Sequence, residues 1–91
     1  MHYYVFPAVF IKENSESVTA MIPDLGIVIE GPSVEESYIF LKNQLRIFCE
    51  YAVKLEEDIL IPTKFEKIAA NNQRNIVMLM DAMVDKNKIT A

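Results

Sequence analysis

The only histidine and the only cysteine of this chain, His2 and Cys49, are its first candidates for a general base and a nucleophile. A reactive thiol needs a neighbouring base and a lowered pKa. Cys49 stands in 47-IFCEY-51, with no histidine near it, and reads as a small packed hydrophobe. His2 lies beside the chain end and reads as an ordinary terminal residue, not a general base or metal ligand. Carboxylates are plentiful, 13 Asp and Glu in 91 residues. Phosphoryl transfer would need several of them converging from neighbouring elements to hold divalent metal. The only glycines are Gly26 and Gly31, too few for G-x-G-x-x-G or a P-loop. Met78, Met80 and Met83 have no His or Cys beside them, which favours packing over metal binding. Tyr3, Tyr4, Phe6 and Phe10 could stack on RNA bases. No basic residue interleaves with them before Lys12, so they read as buried core. The residues predict no catalytic, metal or cofactor site, and a protein that is not an enzyme.

The acids point instead to a binding surface. The formal net charge is −4, which disfavours specific binding to duplex DNA by this chain alone and suits a basic partner. Glu30, Glu56, Glu57 and Asp58 are the candidate partner contacts. A single cysteine forms no internal disulfide and suits a reducing compartment. The N-terminal apolar run is interrupted by Pro7 and falls well short of the ~20 residues a membrane helix needs. It has no basic leader, so a cytoplasmic protein with no membrane association is expected.

These residues are carried by a recognisable order of elements. His2 to Lys12 is aromatic and β-branched, a strand apolar on both faces, and 12-KENSE-16 is a turn. Ser17 to Ile22 alternates as the return strand, Pro23-Asp24 ends it, and Leu25 to Glu30 is a third strand. Ser33 with Glu36 forms a capping box that opens a helix to about Leu55, roughly 33 Å long. Val34, Tyr38, Leu41, Leu45, Phe48, Ala52 and Leu55 make its apolar stripe. Thr63 with Glu66 is a second capping box, predicting a short helix from Thr63 to Ala70. Asn75 to Val84 is the last strand, and residues 85–91 are a polar tail. One domain, 1–91, with an ordered core of about 2–84, is expected. Its class is α+β, in the order β-β-β-α-(short α)-β. The sheet is expected to be four-stranded and mixed, in order 3-2-1-4, with the long helix on one face and the last strand at an edge.

That order, together with particular residues, resembles the HicB antitoxin family. The matching pieces are 6-FPAVF-10 in the first strand, 22-IPDL-25 after the second, and Gly31, Ser33 and Glu35-Glu36 at the helix start. Ile61-Pro62 follows the helix. The resemblance spans about residues 3 to 84. It implies a partial ribonuclease-H-like fold and neutralisation of a small ribonuclease toxin. It departs where Gly26-Ile27-Val28 replaces the usual Pro-Gly-Cys and where Ser37 replaces the common alanine. The DNA-binding segment that many members carry at the C-terminus has no room before Ala91, so promoter binding is not expected. A ribonuclease-H nuclease would place a carboxylate on the first strand. Tyr3 to Ile11 contains none, which leaves Glu50 and Asp81 without that partner.

Two functions from different classes follow. The first is a non-catalytic antitoxin that occludes a small basic ribonuclease. The second is a structural homo-oligomer or accessory protein with no toxin partner. A homodimer or larger assembly is expected in either case, since the last strand offers an apolar edge with a single charge. Val77, Leu79, Asp81 and Met83 are the candidate self-association residues.

Overall fold

The protein is described here by a computed structural model covering residues 1–88. Strand β1 runs His2–Asn14, β2 Ser17–Ile22 and β3 Ile27–Gly31. A 3-10 turn, Pro23–Leu25, joins β2 to β3, and Gly26 follows it at φ 66°, in the left-handed region that favours glycine. Helix α1 spans Val34–Lys54 and α2 Phe65–Ala70; β4 is Ile76–Val84. The last described residues, Lys86–Lys88, make a 3-10 turn. The final three residues of the expected polar tail lie outside the described residues.

The strand order is the expected β3-β2-β1-β4. Strand β1 is central for the reason its sequence suggests: Phe6 to Phe10 are all buried. The register pairs Val9 with Met21 on one side and with Val77 on the other. Pro7 lacks an N–H, and it sits just past the ladder to β2, which begins at Val9.

The expected mixed sheet is instead antiparallel at every pairing. The cause is the connection after α1. The helix starts beside the β3 end at Gly31, which lies level with Val18, and it ends near His2 and Tyr4. A strand starting there would run parallel to β1. Residues 55–75 carry the chain back to the far end first. Strand β4 therefore begins at Ile76 opposite Phe10 and finishes at Val84 opposite His2.

Helix α1 covers one face of the sheet. Phe6, Ala8, Phe10, Val18, Ala20, Ile22, Met80, Ala82 and Val84 project toward it and meet Leu41, Leu45, Cys49 and Val53. The buried row on α1 is Ser37, Leu41, Leu45, Cys49, Ala52 and Val53. This corrects the expected stripe at two positions. Phe48 is 38% and Leu55 59% exposed, because the row touching the sheet follows the i, i+4 ridge and leaves both on its flank. The other sheet face is covered in part. Pro7 and Val9 are fully buried yet stand outside the core beneath α1. Helix α2, with Phe65, Ile68 and Ala69 half-buried, packs against β4.

The first capping box is half formed. The Ser33 hydroxyl accepts the Glu36 N–H at 3.2 Å. The second is absent, and α2 starts at Phe65 instead of Thr63. Thr63 is engaged elsewhere: its N–H and its hydroxyl both donate to the Asp24 carboxylate, at 2.8 and 2.6 Å. No helix among the described residues is long and apolar enough to cross a membrane.

Candidate functional site

Helix α1 ends in a Schellman motif. The Glu56 N–H reaches the Val53 carbonyl at 3.1 Å, and the Glu57 N–H reaches that of Ala52 at 2.9 Å. The motif needs a left-handed residue at the position Glu56 occupies, and its φ is 55°. Glycine or asparagine usually fills that place, since any other side chain there is strained. Here a carboxylate holds it and begins the acidic run Glu56-Glu57-Asp58.

This turn lines a recess of about 320 Å3 together with His2, Tyr4, Ile59 and Lys86. Lys86 donates to the Glu56 carboxylate at 2.9 Å. That hydrogen bond, then the ammonium charge, holds the carboxyl below its ordinary value. Glu57 and Asp58 have no such ion pair among the described residues. Large apolar side chains stand exposed on both sides of the acids: Tyr51 and Leu55 before, Leu60 and Ile61 after, with Ile61 90% exposed. An acidic run bracketed by exposed apolar residues is a surface composition suited to binding a protein.

The structure thus brings together three of the four acids expected to contact a partner. Glu30 is elsewhere. It lies on β3, accepts from the Ser17 hydroxyl at 2.7 Å, and sits level with Thr19 and Ile11. The acidic corner is at the opposite end of β1, beside His2. Sequence reasoning missed the apolar flank. By sequence Leu55 counts with the apolar stripe of the helix, and nothing marks Leu60 and Ile61 as exposed. Sequence reasoning also sets His2 aside, although the recess includes it.

The four candidate residues on β4 share one face, turned away from α1. Val77 is half-buried, and Leu79 and Met83 are 56% and 59% exposed. Asp81 accepts from Lys42 at 3.0 Å and from the Tyr3 hydroxyl at 3.3 Å. The Lys42 hydrogen bond and charge hold its carboxyl below the ordinary range. Beside this edge a groove of about 500 Å3 lies between α1 and β4, with Ile39, Lys42, Asn43 and Met83 along it.

No reactive constellation is assembled from the described side chains. Cys49 is fully buried, and burial pushes its thiol up to about 11, away from the thiolate a nucleophile requires. Glu50 pairs with Arg46 at 2.6 Å and Asp81 with Lys42, so the two carboxylates face different partners. His2 stacks on Tyr4 with ring centroids 6.3 Å apart. Among the described residues no three His, Cys, Asp or Glu side chains lie close enough together to hold a metal ion.

No protein-family model matches the sequence, and no curated protein does. The crystal structure of the antitoxin HicB of Burkholderia pseudomallei matches with a TM-score of 0.77 at 18% sequence identity. The match covers 94% of this chain and 65% of that one, so this chain spans less than two thirds of its length. A central 6-FPAVF-10 strand, a turn at 22-IPDL-25, a capped helix over the sheet and a returning edge strand are the pieces that coincide with the residues of the resemblance. The chain has the fold of the HicB antitoxin.

Proposed function

We propose that this protein is a non-catalytic binding module of a toxin–antitoxin pair, and that it neutralises a small basic ribonuclease by covering it with the acidic corner. The observation that carries this reading is Glu56. A carboxylate occupies a left-handed position where glycine would be unstrained, and strain retained at a surface site marks a place where the side chain has a use. Glu57 and Asp58 extend the negative charge, and Tyr51, Leu55, Leu60 and Ile61 supply apolar contact. Opposite charge would steer the encounter, and burial of the apolar flank would hold the complex. Inhibition needs no chemistry, only occlusion of the partner's RNA-binding surface.

The test is co-expression with a small basic protein encoded next to this chain, followed by co-purification. Relief of toxicity and recovery of a complex support the reading. A neighbour whose toxicity persists, with only this chain recovered, sinks it. A second reading, a homo-oligomer without a toxin, is favoured by the uncovered edge of β4.

A further inference from the structure

Strand β4 is a free edge of the sheet, with β1 as its one strand neighbour among the described residues. It is nine residues long, against five for β3 at the other edge. An unpaired edge of that length presents a row of backbone donors and acceptors to any strand that can lie beside it. We propose that β4 pairs antiparallel with β4 of a second copy, about a two-fold axis at Met80, so that two four-stranded sheets join into one of eight strands.

The register follows from the strand itself. Met80 is the midpoint of Ile76–Val84, so pairing centred there uses all nine residues. It sets Ile76 opposite the second copy's Val84, Met78 opposite Ala82, Val77 opposite Met83 and Leu79 opposite Asp81. Sliding to the next allowed register, centred on Asp81, would set that carboxylate opposite its own copy. Like charges directly opposite are destabilising. The register of greatest overlap is therefore also free of that repulsion.

Charge selects the occupant. The only acid on the edge, Asp81, already faces Lys42 at 3.0 Å. The edge is locally neutral and cannot steer a charged partner, in contrast with the acidic corner. Its complement is a neutral, apolar, antiparallel strand, which the second copy supplies. Tyr3, Leu79 and Met83 stand exposed on the face that would continue across the axis. A strand of this length extends about 30 Å. A standard interface takes roughly 800 Å2 from each partner, so a strip about 27 Å wide, edge and flanks together, suffices.

One feature of the edge opposes pairing. Helix α1 lies on one face of the sheet and Asp81 projects from the other, so the Lys42–Asp81 pair bends around the free edge. Both side chains are more than 40% exposed, and such a pair is weak and screened by salt. It swings aside when the strands join.

Light scattering on the full chain across a dilution series should give twice the 10.4 kDa chain mass. Leu79→Glu with Met83→Glu, which sets a second acid opposite the second copy's Asp81, should return it to one chain mass with the circular dichroism spectrum unchanged. A Val77→Cys, Met83→Cys double variant should form a disulfide-linked dimer under mild oxidation. Those two positions lie about 20 Å apart within one strand, so the bond can only join two chains. A native chain that scatters as a monomer, a dimer indifferent to the two glutamates, or cysteines that leave the chains unlinked would each overturn the proposal. Toxin capture is read separately by co-purification, so failure of one reading leaves the other standing.

Discussion

Asp24 and Thr63 are joined by two hydrogen bonds, from the Thr63 N–H at 2.8 Å and its hydroxyl at 2.6 Å. Asp24 lies in the turn between β2 and β3, and Thr63 lies 39 residues on, in the link after α1. The pair clasps the returning link to the turn and so helps to bring β4 in antiparallel. Asp24→Ala should cost about 1–3 kcal/mol, as loss of hydrogen bonds to a charged acceptor usually does. Thr63→Val, which keeps the backbone bond, should cost about 1 kcal/mol. Urea unfolding measures both. Limited proteolysis between Leu55 and Lys64 should quicken in Asp24→Ala; a link cut no faster than in the native chain would show that the clasp is dispensable.

The same pair marks where sequence reading stops. Hydrophobic runs and turn residues place β1, β2, β3, α1 and β4, because each depends on neighbours a few residues away. The direction of β4 does not. Periodicity shows a strand from Ile76 to Val84 but cannot show which end of the sheet the link has reached. That depends on a contact between Asp24 and Thr63, whose hydroxyl is equally suited to cap α2. The candidate site divides in the same way. Glu56-Glu57-Asp58 is legible as an acidic run. Its bracketing by exposed Leu55 and Ile61 is not, because a Schellman turn at Glu56 changes the direction of the chain. Stripe counting misplaces Phe48 and Leu55 because it weighs side-chain size, whereas the sheet contacts the row through Ser37 and Cys49.

Gly31 and Ser37 are in close approach. A Cβ on Gly31 would lie 2.5 Å from the Ser37 hydroxyl oxygen and 3.3 Å from the Ser37 backbone. Gly31→Ala should therefore destabilise by about 1–3 kcal/mol through overpacking where α1 meets β3. Ser37→Ala alone should be mild, within about 1 kcal/mol, since its hydroxyl reaches the Val18 carbonyl only at 3.5 Å. In the double variant the hydroxyl clash is gone and the backbone contact remains, so the two effects should couple and not add. A thermal or urea double-mutant cycle with strictly additive losses would contradict this packing.

Cys49 sets a pH dependence. Burial raises its thiol from an ordinary 9.0 to about 11, so the folded chain holds the proton more tightly than the unfolded chain. Its contribution to stability is full below about pH 9 and falls as pH rises through 11. Cys49→Ser replaces a buried sulfur, so its baseline shifts, but this alkaline loss should flatten. Urea midpoints at graded alkaline pH read the slope. A thiol reagent should label Cys49 in the native chain only at the rate of unfolding; rapid labelling at neutral pH would place the thiol at the surface.

The acidic corner is tested by separating its strain from its charge. Glu56, Glu57 and Asp58 changed together to lysine should slow association with a basic partner by about tenfold or more, and flatten its salt dependence, if electrostatic steering acts through them. Folding should barely change, since all three are exposed. Glu56→Gly offers the sharper contrast. Glycine accepts the left-handed backbone that glutamate strains to reach, so the unfolding midpoint should hold or rise despite loss of the Lys86 contact. Association should still slow, because the carboxylate is gone. Greater stability with weaker binding is the outcome expected when strain is kept for the sake of a side chain. Stopped-flow association against the co-purified partner, beside thermal melts of the same proteins, reads both halves. If Glu56→Gly and the triple variant associate as fast as the native chain, with the same salt slope, the partner does not meet this corner.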